Sequence, residues 1–177
     1  MISASFFGKI PDRVGKAVHI VKRKKKREGA SNQRRDQGMK KNFEVLDHTA
    51  DIGLIVYGED LKGLFENAGE AFFHLITDLK KVRRRVERRV NIGGESLDRL
   101  MVDWLSELLY LHDVENLLFK GFKVESVGED GLRAIVRGEP FQEGVHVIKT
   151  EVKAVTYHRI EVRQKNGRWR AQIIFDL

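Results

Sequence analysis

Two acidic segments far apart in the chain carry residue types suited to chemistry. Asp47-His48-Thr49-Ala50-Asp51-Ile52-Gly53 stands near the start of the patterned part of the sequence, and Ile173-Ile174-Phe175-Asp176-Leu177 closes it. The closing segment reads as an apolar strand that runs straight to the terminus, whereas most chain ends fray. If that strand lies beside residues 47–51, the carboxylates of Asp51 and Asp176 and the terminal carboxylate of Leu177 converge. Like charges at close range cannot all ionise, so such a cluster binds a divalent cation or takes up protons. Read locally, residues 47–51 are also a turn in which Asp and Thr side chains bond backbone amides. His48 admits a transition metal, but an all-oxygen set with a penultimate Asp suits a hard cation such as calcium better.

A second constellation is Glu151-Val152-Lys153-Ala154-Val155-Thr156-Tyr157-His158. Strict strand alternation puts Glu151, Lys153, Val155 and Tyr157 on one face and Val152, Ala154, Thr156 and His158 on the other. Lys153 is the notable member: it can pair with Asp51 or Asp176, reach a phosphate as a point charge, or be a solvated strand lysine. Tyr157 and His158 read as half-buried wall. A third is Arg137-Gly138-Glu139-Pro140-Phe141 with His146. Gly-Glu-Pro reads as a strand exit and turn, and His146 has no evident partner.

The elements that must position these residues follow from periodicity. Residues 43–46 and 52–57 read as strands. Asp60 caps a helix whose apolar stripe runs from Leu61 to about Thr77, with Gly63 and Gly69 allowing close packing on a sheet. Residues 78–89 read as a charged loop, and 86–92 as a strand. Gly93-Gly94 breaks the chain and Ser96 caps a second helix to about His112, with Trp104 on its apolar stripe. Strands then run over 117–127, 131–138, 152–163 and 168–175, with the Asn166-Gly167 pair marking a hairpin. The expected fold is α+β: a mainly antiparallel or mixed sheet with two helices packed on one face.

Composition excludes several classes. There is no Cys among 177 residues, which removes disulfides, zinc–thiolate sites and thiol nucleophiles and fits a reducing, cytoplasmic setting. No apolar run reaches the ~18 residues of a membrane span, and the apolar stretch at 4–7 is too short for a signal peptide. No nucleotide-binding glycine loop or hydrolase elbow is present. The net charge of +7 is uneven: residues 1–38 hold 11 of the 33 Lys and Arg and 3 of the 26 Asp and Glu, leaving residues 39–177 with 22 basic and 23 acidic groups, net −1. Residues 1–38, with the cationic block 22–27, read as a disordered extension or a mis-assigned start before Met39, or alternatively as a nucleic-acid or localisation arm. The domain itself, 39–177, is not basic on average.

Taken together, Asp47–Gly53, Leu64-Phe65-Glu66-Asn67-Ala68, Trp104-Leu105-Ser106-Glu107-Leu108-Leu109, residues 151–158 and residues 173–177 resemble one family, the archeases, over essentially all of 39–177. The resemblance implies a compact α+β domain. It implies a divalent cation, most simply Ca2+, held through Asp51, Asp176 and the main-chain oxygens of Leu177, with Lys153 a functional position and Asp47 a weaker candidate ligand. It also implies an accessory role rather than a free-standing enzyme. The partner would be an RtcB-type RNA ligase, guanylylated and turned over with the protein's help in tRNA splicing, with RNA and GTP reached through the ligase. The alternatives are a metal-dependent phosphate-ester hydrolase, for which no convincing nucleophile or base is visible beyond His48 and His158, and a passive RNA-binding module, which the near-neutral domain disfavours.

Overall fold

Alternating β-branched segments and two amphipathic stripes become seven strands and two helices in a computed structural model that describes residues 42–47 and 51–177. The expectations for residues 1–38, for His48 and for the side chain of Asp47 lie outside the described residues. In chain order the elements are β1 (Phe43–Asp47), β2 (Asp51–Gly58), α1 (Leu61–Ile76), β3 (Val86–Ile92), α2 (Leu97–Asp113), β4 (Leu117–Gly128), β5 (Gly131–Pro140), β6 (Ala154–Lys165) and β7 (Arg168–Asp176).

The α+β class holds, but the single expected sheet is two. One has the order β1-β2-β7-β6, the other β3-β5-β4, and every pairing is antiparallel. Both helices touch both sheets: α1 packs on β2 and β4, and α2 on β6 and β4. The apolar stripes of the helices therefore meet two inner sheet faces rather than one, and the core lies between them.

Local chemistry sets the helix ends. Asp60 accepts from Gly63 N at 2.7 Å and opens α1. Ser96 accepts from Arg99 N at 3.3 Å and opens α2. α1 ends where Thr77 turns extended and bridges to Ile148. Gly69 does permit close approach, since a Cβ there would stand 2.6 Å from the Phe122 ring on β4. Trp104, Phe65, Phe72, Phe73, Phe119 and Phe175 are fully buried, each contributing about 2–3 kcal/mol by area. The Trp104 indole N–H donates to Phe65 O at 3.0 Å, tying α2 to α1 and confirming its core role. Phe175 stacks on Phe72 with centroids 5.3 Å apart, so β7 is anchored into the core one residue before Asp176.

Candidate functional site

β2 and β7 run antiparallel with Asp51 directly opposite Asp176, and Ala154 of β6 pairs with Asp176 on its other side. Within each strand Leu54, Val56, Ile173 and Phe175 are buried. Alternation then puts Asp51 and Asp176 on the outward face, where both are exposed. Cross-strand partners have Cβ atoms about 5 Å apart, and two carboxylates so placed repel each other unless a cation lies between them. The convergence expected from two distant segments is present in the fold.

Lys153 sits one residue before β6 rather than inside it. Its backbone N–H donates to Asp176 O at 2.9 Å, which fixes its position beside β7. Its side chain takes neither of the expected carboxylate partners: Nζ donates to the main-chain oxygen of Leu177 at 2.7 Å. Register alone explains this, since Lys153 precedes the Ala154–Asp176 pair and so stands level with the residue after Asp176. Lys153, Asp51, Asp176 and Leu177 thus share one exposed sheet end. Asp47, in contrast, is the register partner of Ile52, not of Asp51.

Strict alternation along residues 151–158 does not survive. The β6–β7 register shifts between Thr156 and Glu161, and Arg159 within the shift has φ +54°. The inserted residues leave the ladder, so Tyr157 and His158 are exposed rather than half-buried. The Tyr157 hydroxyl donates to Asp103 Oδ1 of α2 at 3.2 Å. Its pKa is raised, through partial burial and then the Asp103 carboxylate. Thr156 Oγ1 donates to Ile174 O at 2.9 Å, pinning the strand just before the bulge.

His146 also departs from expectation. It is 4% exposed, with its Nδ1 accepting from Gln142 N at 3.0 Å and its Nε2–H facing Glu139 Oε1 at 3.2 Å. Glu139 is the last residue but one of β5, not a turn residue, and accepts from Arg83 N at 2.7 Å with Arg85 Nε at 3.4 Å. Burial pushes the Glu139 pKa up, but these donors outweigh it and hold it below the usual carboxylate range. The network ties residues 83–85 and 142–146 to β5 and has a structural task. Its sequence signal was a Glu and a His seven residues apart around a single Pro.

The acidic end fits a hard cation in its donor chemistry: two carboxylates and a main-chain oxygen, with no sulfur. Among the described residues no group of three or more His, Asp or Glu side chains assembles as a metal site. A pocket of about 440 Å³ is lined by Asn91, Gly93, Ser126, Glu129, Asp130 and Arg133, at the other sheet. No described helix is long and apolar enough to cross a membrane.

Comparison with known proteins gives consistent matches. The model of the Archease protein family matches residues 43–177. Protein archease of Methanosarcina mazei is 43% identical over 141 residues, covering 77% of this chain and 97% of the relative. Protein archease of Methanothermobacter thermautotrophicus is 45% identical over 140 residues, covering 77% and 99%. The solution structure of Methanobacterium thermoautotrophicum protein 1598 superposes with a TM-score of 0.70 at 45% identity, covering 78% of this chain and 100% of that one. The crystal structure of an archease, described as a possible chaperone, from Thermotoga maritima superposes with a TM-score of 0.52 at 19% identity, covering 80% and 100%, and shares the fold.

Proposed function

Because this chain belongs to the archease family, we propose that it is an activator of an RtcB-type RNA ligase and not itself a catalyst. In this reading it promotes guanylylation of the ligase's active-site histidine, supports repeated turnover in tRNA splicing and RNA repair, and widens the nucleotides the ligase accepts. The observation that supports it is the exposed sheet end where Asp51 faces Asp176 beside Lys153. Guanylylation needs cations and a triphosphate held in line with the nucleophile. Exposed acids at one end of a sheet suit insertion into another protein's site.

Asp51 and Asp176, with the oxygen of Leu177, would hold the cation, and Ca2+ fits this donor set. When bound, the cation supplies positive charge against phosphate oxygens. Lys153 supplies a second positive group at the same edge, held in place by Leu177 O. The central experiment is multiple-turnover ligation with and without the protein. Nucleotide hydrolysis by the purified protein alone would favour a phosphate-ester hydrolase instead.

Lys153→Met is expected to leave calcium titration intact while reducing ligase activation, because a protonated Lys donates and cannot ligate. Stability should change by about 0.5 kcal/mol or less, as for an exposed ion pair. A fully activating Lys153→Met protein would make Lys153 an ordinary surface residue. Removing residues 1–38 is expected to leave thermal stability and activation unchanged, since the solved relative has no counterpart of that length; a clear loss of activation would give the basic arm a role.

A further inference from the structure

The outer face of the β3-β5-β4 sheet carries cations in register. Arg89, Ile135 and Lys123 form one row across the three strands, and Asn91, Arg133 and Ser126 form the next. In a third row Glu87 is paired with Arg137 at 2.8 Å, and Arg137 stands opposite Gly121. Arg84 lies over that glycine: a Cβ on Gly121 would be 2.9 Å from Arg84 Nε. Val90, Leu132, Ala134 and Val136 turn the opposite way into the core, where the helices pack. No described element covers the cationic face.

Ile135 is nonetheless only 7% exposed. Its cross-strand neighbours are Arg89 and Lys123, and long aliphatic stems cover apolar surface while their charged ends stay in water. Among the described residues Arg84, Arg89, Lys123 and Arg133 have no carboxylate ion-pair partner; Arg133 Nε donates to the neutral Ser126 Oγ at 3.0 Å. Exposed Lys80, Lys81 and Arg83 precede β3, as does Arg85, whose charge faces Glu139. Acidic groups near this face are Glu87, already paired, Glu125 at a β4 bulge, Glu129 and Asp130 at the β4–β5 turn, and Asp78 and Glu139 beside the 80–85 segment. The near-neutral total of residues 39–177 therefore hides a segregated charge.

We infer that this sheet face binds the phosphate backbone of RNA directly, independently of sequence. Alternate strand residues are about 6.5–7 Å apart, and neighbouring strands about 4.8 Å apart. That lattice offers repeated cationic sites to a polymer with one charge per unit. Three of the four unpaired cations are Arg, whose planar fork matches phosphate oxygens in two parallel hydrogen bonds. The rows contain no aromatic residue on which bases would stack, so the contact reads charge and not sequence. The inference does not depend on the ligase reading, because it concerns a different sheet and direct binding by this chain alone.

The test is fluorescence anisotropy of a labelled single-stranded RNA of mixed sequence across a salt series. The full chain is used with residues 22–27 changed to Gln, so that the leader's charge does not dominate. Combining Arg89→Gln, Lys123→Gln and Arg133→Gln should weaken binding and flatten the slope of log K against log salt by about 2, at about 0.7 per lost phosphate contact. Changing Lys62, Arg163 and Lys165 to Gln, away from this face, should leave the slope unchanged, and thermal melts should show all variants folded. An unaltered slope in the first variant, or an equal loss in the second, overturns the inference. So does a polyglutamate peptide that binds the parent as tightly as RNA of equal charge, which would assign the face to an acidic protein.

Discussion

An Asp51→Asn or Asp176→Asn protein is expected to lose calcium binding and ligase activation while keeping its fold. The two carboxylates are cross-strand partners on an exposed face, so each amide is sterically tolerated and removes one of the two side-chain carboxylates of the site. Their mutual repulsion in the absence of a cation costs the parent something, less than about 1 kcal/mol at an exposed pair. Either substitution should therefore raise the melting temperature slightly without calcium. The parent should gain stability as calcium is added, by the linkage between binding and folding, and the variants should not. Thermal melts with and without calcium, run beside ligation assays, separate a working site from two decorative acids. Variants that melt and activate like the parent in both conditions would remove the cation from the account.

Glu139→Ala should be the most destabilising single change among the polar residues discussed. It leaves the Arg83 N–H and the buried His146 Nε2–H without their acceptor. At about 1–3 kcal/mol for each buried group left unpaired, the expected loss is about 3 kcal/mol, or about 10 °C in Tm for a domain of this size. The sign of the pH dependence follows from the lowered Glu139 pKa. The unfolded carboxyl titrates near about 4.3, so the stabilisation is fully present above that value and is lost as pH falls through the lower folded pKa. Glu139→Gln keeps one acceptor, should cost less, and should flatten the acid limb of a denaturation profile measured below about pH 5. A Glu139→Ala protein as stable as the parent at neutral pH would show that the network is not holding the 83–85 and 142–146 segments.

Much of the acidic end was legible in the sequence because it depends on local signals. Alternation over residues 52–57 and 168–175 places Asp51 and Asp176 at the ends of two strands. The caps Asp60 and Ser96 and the Trp104 stripe placed both helices. What the sequence did not show depends on long-range register. Nothing in residues 86–92 or 117–138 says that they pair among themselves and leave β1, β2, β6 and β7 to a second sheet. The β6 bulge was also hidden: Tyr157-His158-Arg159 contains no Gly or Pro, and a non-glycine residue takes the left-handed conformation. Missing it gave Tyr157 and His158 the wrong exposure. A strand begun at residue 152 aims Lys153 at the acidic side chains, whereas β6 starts at Ala154 and Lys153 reaches Leu177 O. Residues 86–92 read as a strand and form β3, but a domain-wide net charge hides that Arg89 lines one face in register with Lys123 and Ile135.

Across these results, the acidic sheet end is the feature on which the functional account stands. It is tested most directly by product formed per ligase molecule with an RtcB-type ligase, excess broken RNA, GTP and a divalent cation. With this protein present, ligation should continue beyond one product per ligase. With Asp176→Asn in its place, it should stop near one. Equal product with and without the protein would contradict the account.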